Sequence, residues 1–133
     1  PMTALREIRN VRQVPGERRR RWFTSEAMDL IVWIDETWAP VAFQLCYDKG
    51  PNERALTFSA DGTLTHDTVD DGETSTRPYK ATPILTSGGR FDPARVKRLF
   101  DEASRSLPKP ILAFVNATLT AQQGDQGAGQ SSR

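Results

Sequence analysis

Four consecutive arginines followed by two aromatics, Arg18-Arg19-Arg20-Arg21-Trp22-Phe23, are the residues of this chain whose types most directly imply chemistry. Guanidinium groups neutralise phosphates, and an adjacent ring can stack on a base. A nucleic-acid partner is therefore physically available to Arg20, Arg21 and Trp22. The competing reading is structural. A strand turns successive side chains to opposite faces, which divides the arginines two and two and leaves them acids on neighbouring strands to pair with. Partners are at hand: seven arginines and two glutamates lie between Arg6 and Arg21, whereas Trp22 to Asp48 holds five acids and no Lys or Arg. Basic runs specify a partner loosely, so the paired reading is the stronger one.

A second group of candidates follows from strand alternation. In Met28 to Asp35, Met28, Leu30, Val32 and Ile34 share one face; in Val41 to Asp48, so do Val41, Phe43, Leu45 and Tyr47. A hairpin closed by Glu36 to Ala39 brings these faces together, with Ile34 against Val41, Val32 against Phe43 and Leu30 against Leu45. The opposite face then pairs Asp29 with Cys46, Ile31 with Gln44, and Trp33 with Ala42. Asp29 and Gln44 beside the Trp33 ring have the form of a small-molecule surface, polar groups on an apolar floor. The plainer alternative is a face partly solvated or partly covered by the N-terminal hairpin.

Cys46 and His66 are the one pair that could supply a nucleophile and its base. The same register sends them to opposite faces, which argues for a packed thiol and a structural imidazole. Asp67, Asp70, Asp71 and Glu73 cluster without histidines or ligand spacing, so neither a metal site nor a cofactor is expected. No phosphate-loop, dinucleotide, zincin or nucleophile-elbow pattern occurs. The best functional expectation is a small non-enzymatic binding or interaction module, using the exposed sheet face or the arginine-rich strand. Its runner-up is a small enzyme with a cleft between the sheet and residues 70–89, drawing on His66, Asp67, Arg54 or Tyr79.

The elements that must position these residues are legible in outline. Leu5 to Gln13 reads as a half-exposed strand, and Val14-Pro15-Gly16-Glu17 as a type II turn folding it onto Arg18 to Thr24. Asp48 to Glu53 is a charged loop. Arg54 to Ser59 continues the meander, with Leu56 and Phe58 facing Leu45 and Phe43. Ser59 to Thr63 is a turn closed by a glycine bulge, which sets Phe58 opposite Leu64 and Leu56 opposite His66. A polar loop over Asp70 to Pro78 precedes a short edge strand near Ile84, ended by Gly88 and Gly89. Asp92 caps a helix whose Val96, Leu99, Phe100, Ala103 and Leu107 form one stripe. Beyond Pro108 and Pro110 a shorter helix carries Ile111, Phe114, Val115 and Leu119.

The fold class is therefore α+β, an antiparallel meander of five to seven strands able to curl towards a barrel, with one or two C-terminal helices on one face. With 133 residues the expectation is a single domain over 1–121 and a disordered tail over 122–133, where no apolar side chain exceeds alanine. One cysteine, no apolar run of membrane length and no secretory apolar segment lead to the expectation of a cytoplasmic protein without membrane contact. At RQVPGERRRRWF, DLIVWID and FQLCYDKGPNERAL the chain resembles a small bacterial protein family without an assigned activity. The resemblance covers most of the ordered chain. It implies a bacterial, cytoplasmic protein and carries over no catalytic residue.

Overall fold

The computed structural model describes residues 4–50, 53–68, 85–86 and 91–131. Seven strands lie side by side in chain order: β1 (Arg6–Glu7), β2 (Arg19–Thr24), β3 (Met28–Ile34), β4 (Pro40–Tyr47), β5 (Arg54–Phe58), β6 (Leu64–Thr68) and β7 (Leu85–Thr86). The first six are antiparallel and β7 joins β6 in parallel, so the described sheet is open. Two helices, α1 (Pro93–Ala103) and α2 (Lys109–Ser131), complete the α+β fold.

The centre of the sheet has the register its apolar alternation demands. Val32 faces Phe43, Leu30 faces Leu45 and Asp29 faces Cys46. Leu45 and Phe43 in turn face Leu56 and Phe58. A slip of one residue would turn each of these side chains to the other face. One expected pair fails: Ile34 meets Pro40 instead of Val41, because the register shifts between Trp33 and Ile34. The bulge takes Val41 out of line with Phe43 and leaves it half-buried.

The helices cover the first face. Leu30, Val32, Phe43, Leu45 and Leu56 form one cluster with Val96, Phe100 and Ala103 of α1 and Ile111, Val115 and Leu119 of α2. The aromatic contact at the centre comes from α2, with the Phe114 ring edge-on to Phe43 and Phe58 at 6.0 and 5.8 Å. The first helix packs beside it, capped by Asp92, whose carboxylate accepts from Arg95 N at 3.2 Å. Its other tether is a two-pronged ion pair from the Arg95 guanidinium to Asp48, at 2.9 and 2.8 Å. Among the residues of the second helix whose burial is described, Ile111, Val115 and Leu119 are buried, and the helix extends to Ser131.

The N-terminal edge departs from a plain hairpin. The Val14–Glu17 turn forms as expected, with Gly16 at φ 87° and Glu17 N donating to Val14 O at 3.0 Å. The strand expected over Leu5 to Gln13 is only two residues long. Asn10, at φ 59°, turns the chain out of extended geometry. The Gln13 side chain then takes the place of a strand, its amide donating to Arg20 O at 3.0 Å and accepting from Arg20 N at 2.9 Å. That contact satisfies an edge peptide that would otherwise invite a foreign strand. The loop expected over Asp70 to Pro78, together with Tyr79, Ile84, Gly88 and Gly89, lies outside the described residues.

The Phe43 ring is fully buried and touches both Phe58 and Phe114. Phe43→Ala should therefore lower the unfolding free energy by about 3–5 kcal/mol in urea titration. A loss below about 1 kcal/mol would place the core elsewhere.

Candidate functional site

On β2 the arginines divide by strand alternation. Arg19 and Arg21 share the face of Phe23, while Arg20 and Trp22 share the opposite one, beside Trp33 and Ile31. Arg21 makes the expected internal pair: its guanidinium grips the Glu7 carboxylate with two bonds of 2.8 Å and lies 5.5 Å over the Phe23 ring. That contact holds the Glu7 carboxyl below its ordinary range and raises the Arg21 guanidinium. Arg20 donates to Arg12 O at 2.9 and 3.2 Å. Phe23 is a core residue. Trp22 is half-buried, and its indole N–H is buried with no hydrogen-bond acceptor among the described residues. Of the two aromatics that follow the arginines, Phe23 is thus withdrawn from solvent and Trp22 is only partly accessible.

A different aromatic is presented to solvent. Trp38, in the β3–β4 connection, is 58% exposed. Arg19 stacks on it, with the guanidinium carbon 5.5 Å from the ring centroid. The loop that presents Trp38 has a close counterpart in the same chain. In the β5–β6 hairpin, Ser59 N donates to Thr63 O, Gly62 N donates to Ser59 O, and Gly62 sits at φ 93°. In the β3–β4 hairpin, Asp35 N donates to Ala39 O, Trp38 N donates to Asp35 O, and Trp38 sits at φ 70°. The same turn is built twice, with glycine at the left-handed position once and tryptophan there the other time. A bulky side chain at positive φ is an outlier that costs about 1–2 kcal/mol.

Local bonds hold Trp38 there. The Asp35 carboxylate accepts from Thr37 N at 2.8 Å, from the Thr37 hydroxyl at 2.7 Å and from Ala39 N at 3.1 Å. Those bonds, the Thr37 hydroxyl foremost, hold the Asp35 carboxyl below its ordinary range.

Trp38 stands between two grooves of about 540 Å³ each. The first is lined by Arg9, Arg19, Arg20 and Arg21, with Glu7 as its one acid. Of those four arginines only Arg21 is held in an ion pair among the described residues. The second groove turns acidic, with Glu17, Asp35 and Glu36 beside Arg18 and Arg19. Sequence reading missed Trp38 because it sits in a turn, outside any periodic pattern. The available signal was a large apolar side chain between Thr37 and Ala39, where no strand could bury it.

The polar groups expected on the second sheet face serve the sheet itself. Asp29 stands opposite Cys46, accepts from the Thr24 hydroxyl, and pairs with Lys49 at 3.0 Å. Lys49 also donates to Ser25 O at 2.7 Å. The Gln44 amide donates to Thr57 Oγ1 at 3.1 Å. Trp33 is half-buried opposite Ala42. Burial, with Glu53 and Asp29 nearby, pushes the Cys46 thiol up to about 12, which leaves it protonated and a poor nucleophile.

Cys46 and His66 lie on opposite faces, as the register requires. His66 is fully buried opposite Leu56, hydrogen-bonded through Nε2 to the Tyr47 hydroxyl, with the Phe91 ring 5.0 Å away. Burial, with Asp48 close by, raises the Tyr47 hydroxyl to about 12. An imidazole enclosed in this way serves the core. The cleft expected between the sheet and residues 70–89, and Tyr79 within it, lie outside the described residues. Among the described residues no helix is long and apolar enough to cross a membrane, and no group of His, Cys, Asp and Glu could hold a metal ion.

No family model, curated protein or solved structure matches the chain.

Because Trp38 holds a left-handed backbone at φ 70°, Trp38→Gly should be more stable than Trp38→Ala by about 1–2 kcal/mol, since only glycine relieves that conformation. Equal stability of the two variants by thermal or urea unfolding would show that the turn does not hold this geometry in solution.

Proposed function

We propose that this protein is a non-enzymatic binding module whose partner is anionic, held in the groove lined by Arg9, Arg19, Arg20 and Arg21 and walled by Trp38. The observation that carries this reading is the exposed Trp38 ring, standing at a glycine position with an arginine stacked on it. Exposed aromatics rimmed by cations are costly for a fold and useful to a binding surface. The groove also gathers guanidinium groups from outside β2, since Arg9 joins it from the segment after β1. The reading of the opposite sheet face as a ligand surface has less support. Asp29, Gln44 and Cys46 are each engaged or silenced by neighbouring strands.

Inorganic polyphosphate is a suitable probe of the groove. Binding measured by calorimetry should weaken steeply as salt rises, because arginine contacts release the polyanion's counterions. Replacing Arg9 and Arg19 together with glutamine should reduce affinity by about tenfold or more, while replacing Arg98 and Arg105 together, which lie outside the groove, should leave it within about twofold. Equal losses from the two sites would reduce the effect to net charge and remove the groove as its cause.

A further inference from the structure

We infer that the partner of this groove is single-stranded nucleic acid, with one base laid on Trp38, phosphates along Arg9 and Arg19, and the base edge turned towards Asp35 and Glu36. The inference rests on the reading of the arginine groove as an anion site and adds what kind of anion fits. Its basis is the asymmetry about the indole. Trp38 lines both grooves; arginines predominate on one side of it, and on the other the carboxylates of Glu17, Asp35 and Glu36 outnumber Arg18 and Arg19. A polyphosphate chain or an anionic bilayer carries negative charge throughout and would meet those carboxylates at a cost. A nucleotide chain has both characters: an anionic backbone, a flat face that stacks on an aromatic, and base-edge amino groups that carboxylates accept from.

The stacking geometry is available. Arg19 lies 5.5 Å from the indole centroid, and the ring retains 58% of its exposure, which leaves surface for a base in a guanidinium, indole and base sandwich. A duplex keeps its bases stacked on one another, so the ligand must be single-stranded.

The test is fluorescence anisotropy of the full chain with four labelled probes of about ten units: oligo-ribocytidylate, oligo-deoxycytidylate, an abasic strand and inorganic polyphosphate. The inference predicts that a base-bearing strand binds at least about fivefold more tightly than the abasic strand and the polyphosphate. Trp38→Gly should abolish that advantage, and Trp38→Phe, which keeps a ring, should retain most of it. Tighter binding of the ribose or of the deoxyribose strand supports the inference and identifies its natural source. Equal affinity for the abasic and base-bearing strands, or an advantage that survives Trp38→Gly, overturns the stacking assignment and leaves the groove a general anion site. Failure of all four probes to bind overturns the anion-site reading as well.

Discussion

Burial of one face of β3 and β4 under the helices is the constraint on which the rest of this structure depends. Side chains alternate along a strand, so once Leu30, Val32, Phe43 and Leu45 are committed to the core, every residue of the neighbouring strands has its side decided too. The aromatic group of Phe43, Phe58 and Phe114 sets that commitment at the centre of the sheet. From there it passes outwards to β2, where Phe23 goes inside, Trp22 goes to the second face, and the arginines are divided between the two. It also passes to β6, where His66 is drawn into the core and away from Cys46. The loss of the one possible catalytic pair and the splitting of the basic run are two results of a single packing decision.

What the packing leaves exposed is equally informative. The basic run meets some of its charge internally, through Glu7, and some of its hydrogen-bonding capacity through the Arg12 carbonyl. Arg9 and Arg19 are left facing a groove, and Arg19 leans on the indole of Trp38. Two of the sheet's hairpins, β3–β4 and β5–β6, make the comparison direct. One turn, at Ser59 to Thr63, puts glycine where the backbone is left-handed, and the other, at Asp35 to Ala39, puts tryptophan there with a carboxylate bonded three times to hold the loop. A large ring at a left-handed backbone position, in contact with solvent and beside cations, is the feature on which the functional account is built.

Much of the fold could be read from the residues, and the parts that could not share a cause. Val32 opposite Phe43, Leu30 opposite Leu45, the Gly62 turn, the Asp92 cap and the stripes of both helices follow from periodicity and local turn chemistry, which act within a few residues. The bulge between Trp33 and Ile34 does not, because it comes from a loop whose left-handed residue is not glycine and which brings Pro40 where Val41 was expected. Nor does the short first strand, since the edge of β2 is closed by one side-chain amide, that of Gln13, and periodicity carries no trace of such a contact. The site was legible only in part for the same reason. The arginines were evident, but the ring that makes a groove of them lies in a turn, and the two adjacent aromatics on β2 were the more obvious choice.

The chain's three tryptophans report separately on the alternatives, because Trp22 and Trp33 lie on the second sheet face and Trp38 stands at the groove. The most direct measurement is therefore the indole N–H spectrum of the isotope-labelled protein during titration with a single-stranded oligonucleotide. The account predicts that the Trp38 resonance shifts progressively with the strand while those of Trp22 and Trp33 hold their positions. Movement of Trp22 and Trp33 with Trp38 unchanged would contradict it and place the binding surface on the opposite face of the sheet.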